Sequence, residues 1–169
     1  PMTKQLEAVT VRHLLQHTGG WDRETALNPF NYLEKPPFDP MFWPRAIGSK
    51  MKSLNSDYMI PATAEMVVTY MLTQPLQHQP GTKQVYSNFG YCVLGRVIEK
   101  KAGDNRSYVE YVKRTMFAEM GIHRTSLART RLTDAQPGEV HYYPDTNLVQ
   151  SVFPEDDPGY VPRPYGGFY

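Results

Sequence analysis

Apolar residues fall into four stretches of helical spacing, separated by text in which proline breaks any period. Val11, Leu14 and Leu15 share one face behind Thr10, a residue suited to capping. Residues 9–20 therefore predict a short amphipathic helix that Gly19 or Gly20 ends in a left-handed turn. Met66, Val67, Tyr70 and Met71 repeat the spacing within residues 62–72, and Pro75 bounds it. The clearest period runs over 86–101: Phe89, Val93 and Val97 form one row with Leu94 and Ile98 beside it, and Lys100, Lys101 and Gly103 close it. Ser107 and Glu110 make a capping box ahead of Tyr108, Tyr111, Val112, Met116, Phe117 and Met120, predicting a helix that ends near Gly121. The faces carrying Val93, Leu94, Val97, Ile98, Tyr108, Val112 and Phe117 are expected to bury together, at roughly 1.5 to 3 kcal/mol per fully buried large side chain.

Residues 21–61 have a different character. Pro29, Pro36, Pro37, Pro40, Pro44 and Pro61 interrupt every period, while Phe30, Tyr32, Phe38, Phe42 and Trp43 stand between them. A linker would be poor in aromatics, so the expectation is a long packed loop, one able to line a substrate cleft. After Thr125 irregular structure and short strands are expected, with 139–143 the best strand candidate and six prolines beyond residue 136 breaking the rest.

Composition narrows the partners. The 169 residues, 40% hydrophobic and 21% charged, fit one soluble globular domain, and a net charge of +1 with scattered Lys and Arg gives no footprint for nucleic acid or an anionic membrane. No apolar run approaches the roughly 18 residues of a membrane span, and the first residues lack the build of a signal peptide. The single cysteine, Cys92, reads as a small buried hydrophobe. His13 and His17 have ligand spacing, but Leu14 stands where the His-Glu-x-x-His zinc motif needs glutamate, so no metal is expected. His78, His123 and His141 lie in turn or loop text and read as solvated. Gly19-Gly20 follow a helix and do not open one, which excludes a phosphate loop, and no cofactor is implied.

Three phrases carry a resemblance. Thr10-Val11-Arg12-His13-Leu14-Leu15-Gln16-His17-Thr18-Gly19-Gly20 matches a Thr-x-Arg-His-Leu-Leu helix ending in His-Thr-Ser-Gly, with Gly19 in place of the serine. Pro80-Gly81, Tyr86-Ser87-Asn88-Phe89-Gly90-Tyr91, Leu94-Gly95 and Ile98-Glu99 match a Tyr-x-Asn motif and its following helix; Glu119-Met120-Gly121-Ile122 and Thr125 match a Leu-Gly-Met and Thr landmark. In this order and at these separations the chain resembles the middle section of a serine hydrolase of the class C β-lactamase and penicillin-binding protein (β-lactamase-related) family. The match runs from about Val9 to Thr125, and Gly166-Gly167 resembles the start of a later family glycine pair.

The resemblance implies an α/β parent of β-lactamase or transpeptidase type, a helical subdomain beside an antiparallel sheet. This chain would be a single partial domain, 1–169: a helical region at 9–125, then irregular text and short strands at 126–169 returning to the sheet domain, so mainly α-helical with long proline-rich loops and little sheet. It also implies hydrolysis of an amide, ester or β-lactam bond through an acyl-serine intermediate. A serine hydroxyl must be activated by a base, in this family a lysine one turn after the serine together with the motif tyrosine. Carried over by motif, Tyr86 is the catalytic tyrosine, Asn88 binds the substrate amide and the lysine, and Ser87 is a bystander. Taken without the phrase around them, Tyr86 reads as a packed core tyrosine and Asn88 as a helix N-cap.

The departures matter too. Family members place Ser-x-x-Lys upstream of the Arg-His-Leu-Leu helix and a Lys-Thr-Gly or His-x-Gly strand near the carboxyl terminus; these 169 residues hold neither in place, so the chain alone is expected to be inactive. Ser49-Lys50-Met51-Lys52 matches as a string but follows that helix, in proline-broken text, and reads as coincidence; Gly81-Thr82-Lys83 is a reversed Lys-Thr-Gly in a turn. The alternative is a binding or structural module that kept the fold and lost catalysis. Family members include D,D-peptidases and esterases and are often secreted or periplasmic, so a small-molecule or peptide-like substrate is implied for the parent without further assignment.

Overall fold

Most of the helices begin where a side chain satisfies a free amide of the first turn. In a computed structural model of the chain, which describes residues 4–31, 33–103, 106–128, 134–139, 148–150, 153 and 160–162, a short α1 (Lys4–Glu7) precedes α2 (Val11–Leu15). The Thr10 hydroxyl accepts from the His13 amide at 3.2 Å and His13 Nδ1 accepts from the Thr10 amide at 3.3 Å, a capping box with histidine in the glutamate place. The left-handed residue that ends this turn is His17, at φ 56°, rather than Gly19 or Gly20. The capping box of Ser107 and Glu110 forms as expected, and its hydrogen bonds hold the exposed Glu110 carboxyl below its ordinary range. It starts α6 (Tyr108–Val112), which passes into a π-helical turn, Lys113–Phe117, and reverses at Gly121 with φ 68°.

The 21–61 segment corrects its expectation in part. Residues 21–31 and 33–39 form a loop that buries Asp22, Ala26, Asn28, Phe38 and Asp39, but a 3₁₀ turn (Pro40–Phe42) and an eleven-residue helix, α3 (Pro44–Leu54), follow it. Pro44 does not break this helix; it stands in the first turn, where proline's missing N–H costs nothing and its fixed φ suits the start. Pro44, Ile47, Gly48 and Met51 face inward, and Gly48 backs so closely onto 59–62 that a Cβ would stand 2.7 Å from the Met59 carbonyl oxygen. Thr63 caps α4 (Ala64–Met71), which buries Met66, Val67, Tyr70 and Met71.

The chain gathers into two units, Pro1–Ile98 and Glu99–Tyr169, with the boundary inside α5 (Asn88–Ala102). The first holds the buried core: Phe38, Ile47, Met51, Met66, Val67, Tyr70, Met71 and Phe89, with Phe30 set among Phe38, Trp43 and Tyr70 at ring separations of 6.0, 6.0 and 5.8 Å. Burial pushes the Tyr70 hydroxyl above its ordinary pKa. The α5 and α6 faces are not the core they were expected to be. Val93, Leu94, Val97, Ile98, Val112 and Phe117 are only half-buried and Tyr108 is exposed, because the proline-rich segment, α3 and α4 supply the interior. In the second unit β1 (Leu148–Gln150) pairs antiparallel with β2 (Tyr160–Pro162), Val149 opposite Val161. Glu139 lies in a loop; residues 140–143 of the strand candidate and Gly166-Gly167 fall outside the described residues.

What positions the motif tyrosine is a clasp between two loops. Val85 N–H donates to the His17 carbonyl and Gly81 N–H to the Thr18 carbonyl, both at 2.8 Å, while the amides of Gln77 and His78 converge on the Gly20 carbonyl at 3.0 and 3.1 Å. Gly20 is obligatory there: its φ is 102°, and a Cβ would stand 2.5 Å from the His78 carbonyl oxygen. Asp22, 2% exposed, locks the clasp. Its Oδ2 lies 2.8 Å from His78 Nε2 and 2.9 Å from Lys83 Nζ, and its Oδ1 accepts from the Glu24 amide at 3.0 Å. Burial pushes this carboxyl up, but the hydrogen bonds from His78, Lys83 and Glu24 and the lysine charge outweigh it and hold the carboxyl well below the usual carboxylate range. His78 is thus a half-buried partner and not the solvated residue expected from the turn text around it.

Two stability predictions follow from this packing. Ile47→Ala, at a fully buried position, should lower the unfolding free energy by about 2–5 kcal/mol in urea titrations, whereas Leu54→Ala, at a 74% exposed one, should change it by no more than about 0.5 kcal/mol. Asp22→Asn should cost about 3 kcal/mol at neutral pH. Because the native carboxyl is held low, its contribution is complete above the ordinary aspartate value near 4 and drains as pH falls below it, so the gap between wild type and variant should narrow from about pH 4 downward. A gap that stays constant or widens to about pH 2 would rule out the clasp as a charged one.

Candidate active site

Tyr86 stands on the last residue but one before α5, at the edge of the clasp, and is 57% exposed. It is therefore not the packed core tyrosine that its isolated reading allows. Its ring and that of Tyr91 lie against His17, with ring centroids 4.9 and 5.0 Å from the imidazole. The Arg23 guanidinium carbon sits 5.2 Å from the centre of the Tyr86 ring, within range of a cation–π contact of about 0.5–1 kcal/mol at exposed sites. Tyr91 donates from its hydroxyl to the Leu15 carbonyl at 3.3 Å.

Ser87, the expected bystander, organises the motif backbone. Its Oγ accepts from the Gly90 amide at 2.9 Å, satisfying a free donor of the first turn of α5, and its own amide donates to His17 Nδ1 at 3.1 Å. His17 accepts at Nδ1, so the neutral ring carries its proton on Nε2. With Ser87 in the capping position, Asn88 is freed from that duty and is the first residue of the helix. Its amide nitrogen donates to Asp39 Oδ2 at 2.8 Å.

Asp39 is 7% exposed and does three things at once. Its Oδ1 accepts from the Met41 amide at 3.0 Å and so caps the 3₁₀ turn, its Oδ2 holds Asn88, and that same oxygen lies 3.6 Å from Arg23 Nη1. The Phe38 amide donates to the Arg23 carbonyl at 2.8 Å, which keeps Arg23 beside Asp39 along the backbone. Arg23 Nε also meets Glu24 Oε1 at 3.1 Å on the exposed side.

A cleft of about 520 Å³ opens beside this network. Ser87, Phe89, Arg23 and Asp39 line it, together with Trp21 and residues of the 71–77 turn, whereas Tyr86 and Asn88 are not among its lining residues. Trp21 meets Phe89 edge to face at 4.8 Å. Residues of the 21–40 segment line this cleft, while Trp43 lines a second cavity of about 440 Å³ that shares Arg23 and Asp39 with the first.

The other sequence candidates are placed as follows. Ser49 and Lys52 do lie one turn apart on a helix, α3, correcting the expectation of irregular text, but both face solvent and neither lines the cleft. His13 and His17 do not share a helix face, since α2 ends at Leu15; His13 is spent on the capping box and His17 on the Ser87 amide. Among the described residues no group of three or more His, Cys, Asp or Glu could hold a metal ion, and no helix is long and apolar enough to cross a membrane. The sequence reading missed Asp22, Arg23, Asp39, His78 and Lys83. For Asp39 a signal was present, an aspartate directly before Pro40, the pattern of a cap followed by proline at the first helical position.

The residues so arranged are an exposed phenol under a guanidinium and an oriented carboxamide, groups able to accept or relay a proton and to bind an amide. Among known proteins, penicillin-binding protein 4* of Bacillus subtilis is 28% identical over 139 residues, 81% of this chain and 24% of that protein. A putative D-alanyl-D-alanine carboxypeptidase of Escherichia coli is 25% identical over 72% of this chain and 22% of its own length. The chain thus spans about a quarter of the curated relatives it matches. The solved octameric penicillin-binding protein homologue from Pyrococcus abyssi superposes with a TM-score of 0.49 at 24% identity, over 92% of this chain and 29% of that one. The Beta-lactamase family profile matches residues 1–169, and with penicillin-binding protein relatives along most of its length the chain belongs to that family.

Proposed function

We propose that this chain is the Tyr-x-Asn-bearing part of a serine hydrolase of α/β parent fold that cleaves an amide, ester or β-lactam bond through an acyl-serine intermediate. The observation that carries this reading is the exposure of Tyr86 beside a cation, at the helix start that also orients Asn88. A structural tyrosine would bury its ring; this one leaves its ring half in solvent and keeps a guanidinium against its face. Membership of the family and its penicillin-binding protein relatives support the same reading.

In the step proposed, a serine hydroxyl supplied from outside residues 1–169 attacks the substrate carbonyl carbon. Its proton passes to the Tyr86 oxygen, or to a lysine that shares the proton with it, and from there to the leaving group as the carbonyl–leaving-group bond breaks. Asn88 holds the substrate amide and the lysine. Water then cleaves the acyl-serine ester by the same proton route in reverse.

The test is intact-mass spectrometry after incubation with a serine-reactive fluorophosphonate, on the chain alone and on the protein that contains it. One adduct on the larger protein and none on residues 1–169 is expected. Tyr86→Phe in the larger protein should slow labelling by about 100- to 10,000-fold, the range for loss of a general acid–base group. An adduct mapped to Ser49 or Ser87 would overturn the assignment of the nucleophile, and a larger protein that never labels would favour an inactive binding module.

A further inference from the structure

We infer that Arg23 and Asp39 are positioning residues for the Tyr86–Asn88 pair, Asp39 fixing which way the Asn88 amide faces and Arg23 bracing the Tyr86 ring against the same carboxylate. This rests on the function proposed above for Tyr86 and Asn88, and nothing in that reading requires either residue.

Polarity decides the first half. A carboxamide has a donor end and an acceptor end of nearly the same size, and in open solvent it turns between them freely. A carboxylate only accepts, so the 2.8 Å contact to Asp39 Oδ2 must come from the Asn88 amide nitrogen, which turns the Asn88 oxygen away from Asp39. Asp39 is in turn fixed by the Met41 amide on its other oxygen and by near-complete burial, so it does not follow Asn88 if the amide rotates. Asn88 is thereby held as an acceptor toward whatever approaches from the side away from Asp39, the polarity needed to receive an ammonium or a substrate N–H.

Arg23 supplies the second half. Its guanidinium reaches Asp39 Oδ2 at 3.6 Å and lies 5.2 Å from the Tyr86 ring centre, so one planar group spans Tyr86 and the carboxylate that holds Asn88. The Phe38–Arg23 backbone hydrogen bond brings the arginine to the aspartate next in the chain after Phe38. A lysine would keep the charge but lacks the planar face and the second set of donors to serve both partners. The arrangement contacts no reacting atom, so its effect is on placement; a displacement of about 1 Å in a reacting group can cost about 100-fold in rate.

The test follows fluorophosphonate inactivation of the larger protein, resolving the maximal rate from half-saturation, for Arg23→Ala, Arg23→Lys, Asp39→Asn and Tyr86→Phe, with helical circular dichroism recorded for each. Asp39→Asn keeps the cap on Met41, since asparagine caps as well as aspartate, and removes the polarity constraint. Both Arg23→Ala and Asp39→Asn should lower the maximal rate by about 10- to 100-fold with half-saturation within about twofold, and the double variant should be no worse than the weaker single one because both act through one network. Guanidinium ion added to Arg23→Ala should restore much of the rate, and Arg23→Lys should not match it. Wild-type rates in both variants while Tyr86→Phe is impaired would sink this inference and leave the proposed function standing. A Tyr86→Phe protein labelled at the wild-type rate would remove the proposed function and this inference with it. Loss in Arg23→Ala that tracks loss of helix and resists guanidinium would assign Arg23 to folding alone; if Asp39→Asn fails to fold, the guanidinium response decides.

Discussion

Residues 17–22 and 77–85 have no common secondary structure, yet four backbone hydrogen bonds and the Asp22 carboxylate join them, and the placement of Tyr86 depends on that junction. The loop before α5 cannot stand alone: Gln77, His78, Gly81 and Val85 offer amides with no helix or sheet to take them. They find acceptors on the turn that ends α2. A turn of this kind needs carbonyls pointing outward in succession, which the left-handed His17 and the positive φ of Gly20 provide. Fixing Val85 against His17 brings both Tyr86 and Ser87 to the imidazole, one by ring contact and one by its amide.

Two buried aspartates, Asp22 and Asp39, play comparable roles and differ in what they bind. Asp22 meets a lysine and a histidine and holds loop to loop; Asp39 meets an arginine and an asparagine and holds loop to helix. Burying a carboxylate is unfavourable unless its oxygens are filled, and both are filled partly by backbone amides, from Glu24 and Met41. Neither ion pair is closed off from water, since Lys83 and Arg23 each keep a substantial part of the side chain exposed. The cations therefore remain partly hydrated while the carboxylates do not, which favours positional definition over raw stability.

Helix positions were legible wherever the apolar period and a capping residue agreed. Thr10, Ser107 and the face of Met66, Val67, Tyr70 and Met71 are of that kind, because caps and helical faces are set within four residues of sequence. The helix α3 was not, because Pro44 reads as a breaker unless its place as first helical residue is known. Core location was not legible either: half-burial of the α5 stripe follows from which other elements reach it, information no local period carries. The motif gave Tyr86 and Asn88, but Asp22 with Lys83 and Asp39 with Asn88 are separated by 61 and 49 residues, so no spacing rule finds them. Adjacent charged residues such as Asp22-Arg23 read as solvated until the loop is folded.

The departure of Gly19 from the serine of the family phrase has a physical counterpart in the same loop. A Cβ at Gly19 would stand 2.9 Å from Trp21 Cζ3, closer than real side chains come, so any larger residue there requires the indole to move. The Trp21 ring is not free to do so at no cost, since its edge contact with Phe89 at 4.8 Å belongs to the wall of the cleft and to the first turn of α5. Glycine at residue 19 therefore leaves room for an indole that reaches the helix of the Tyr-x-Asn motif. Packing of Trp21 on Phe89 thus adds a side-chain contact to the backbone hydrogen bonds that join the two loops.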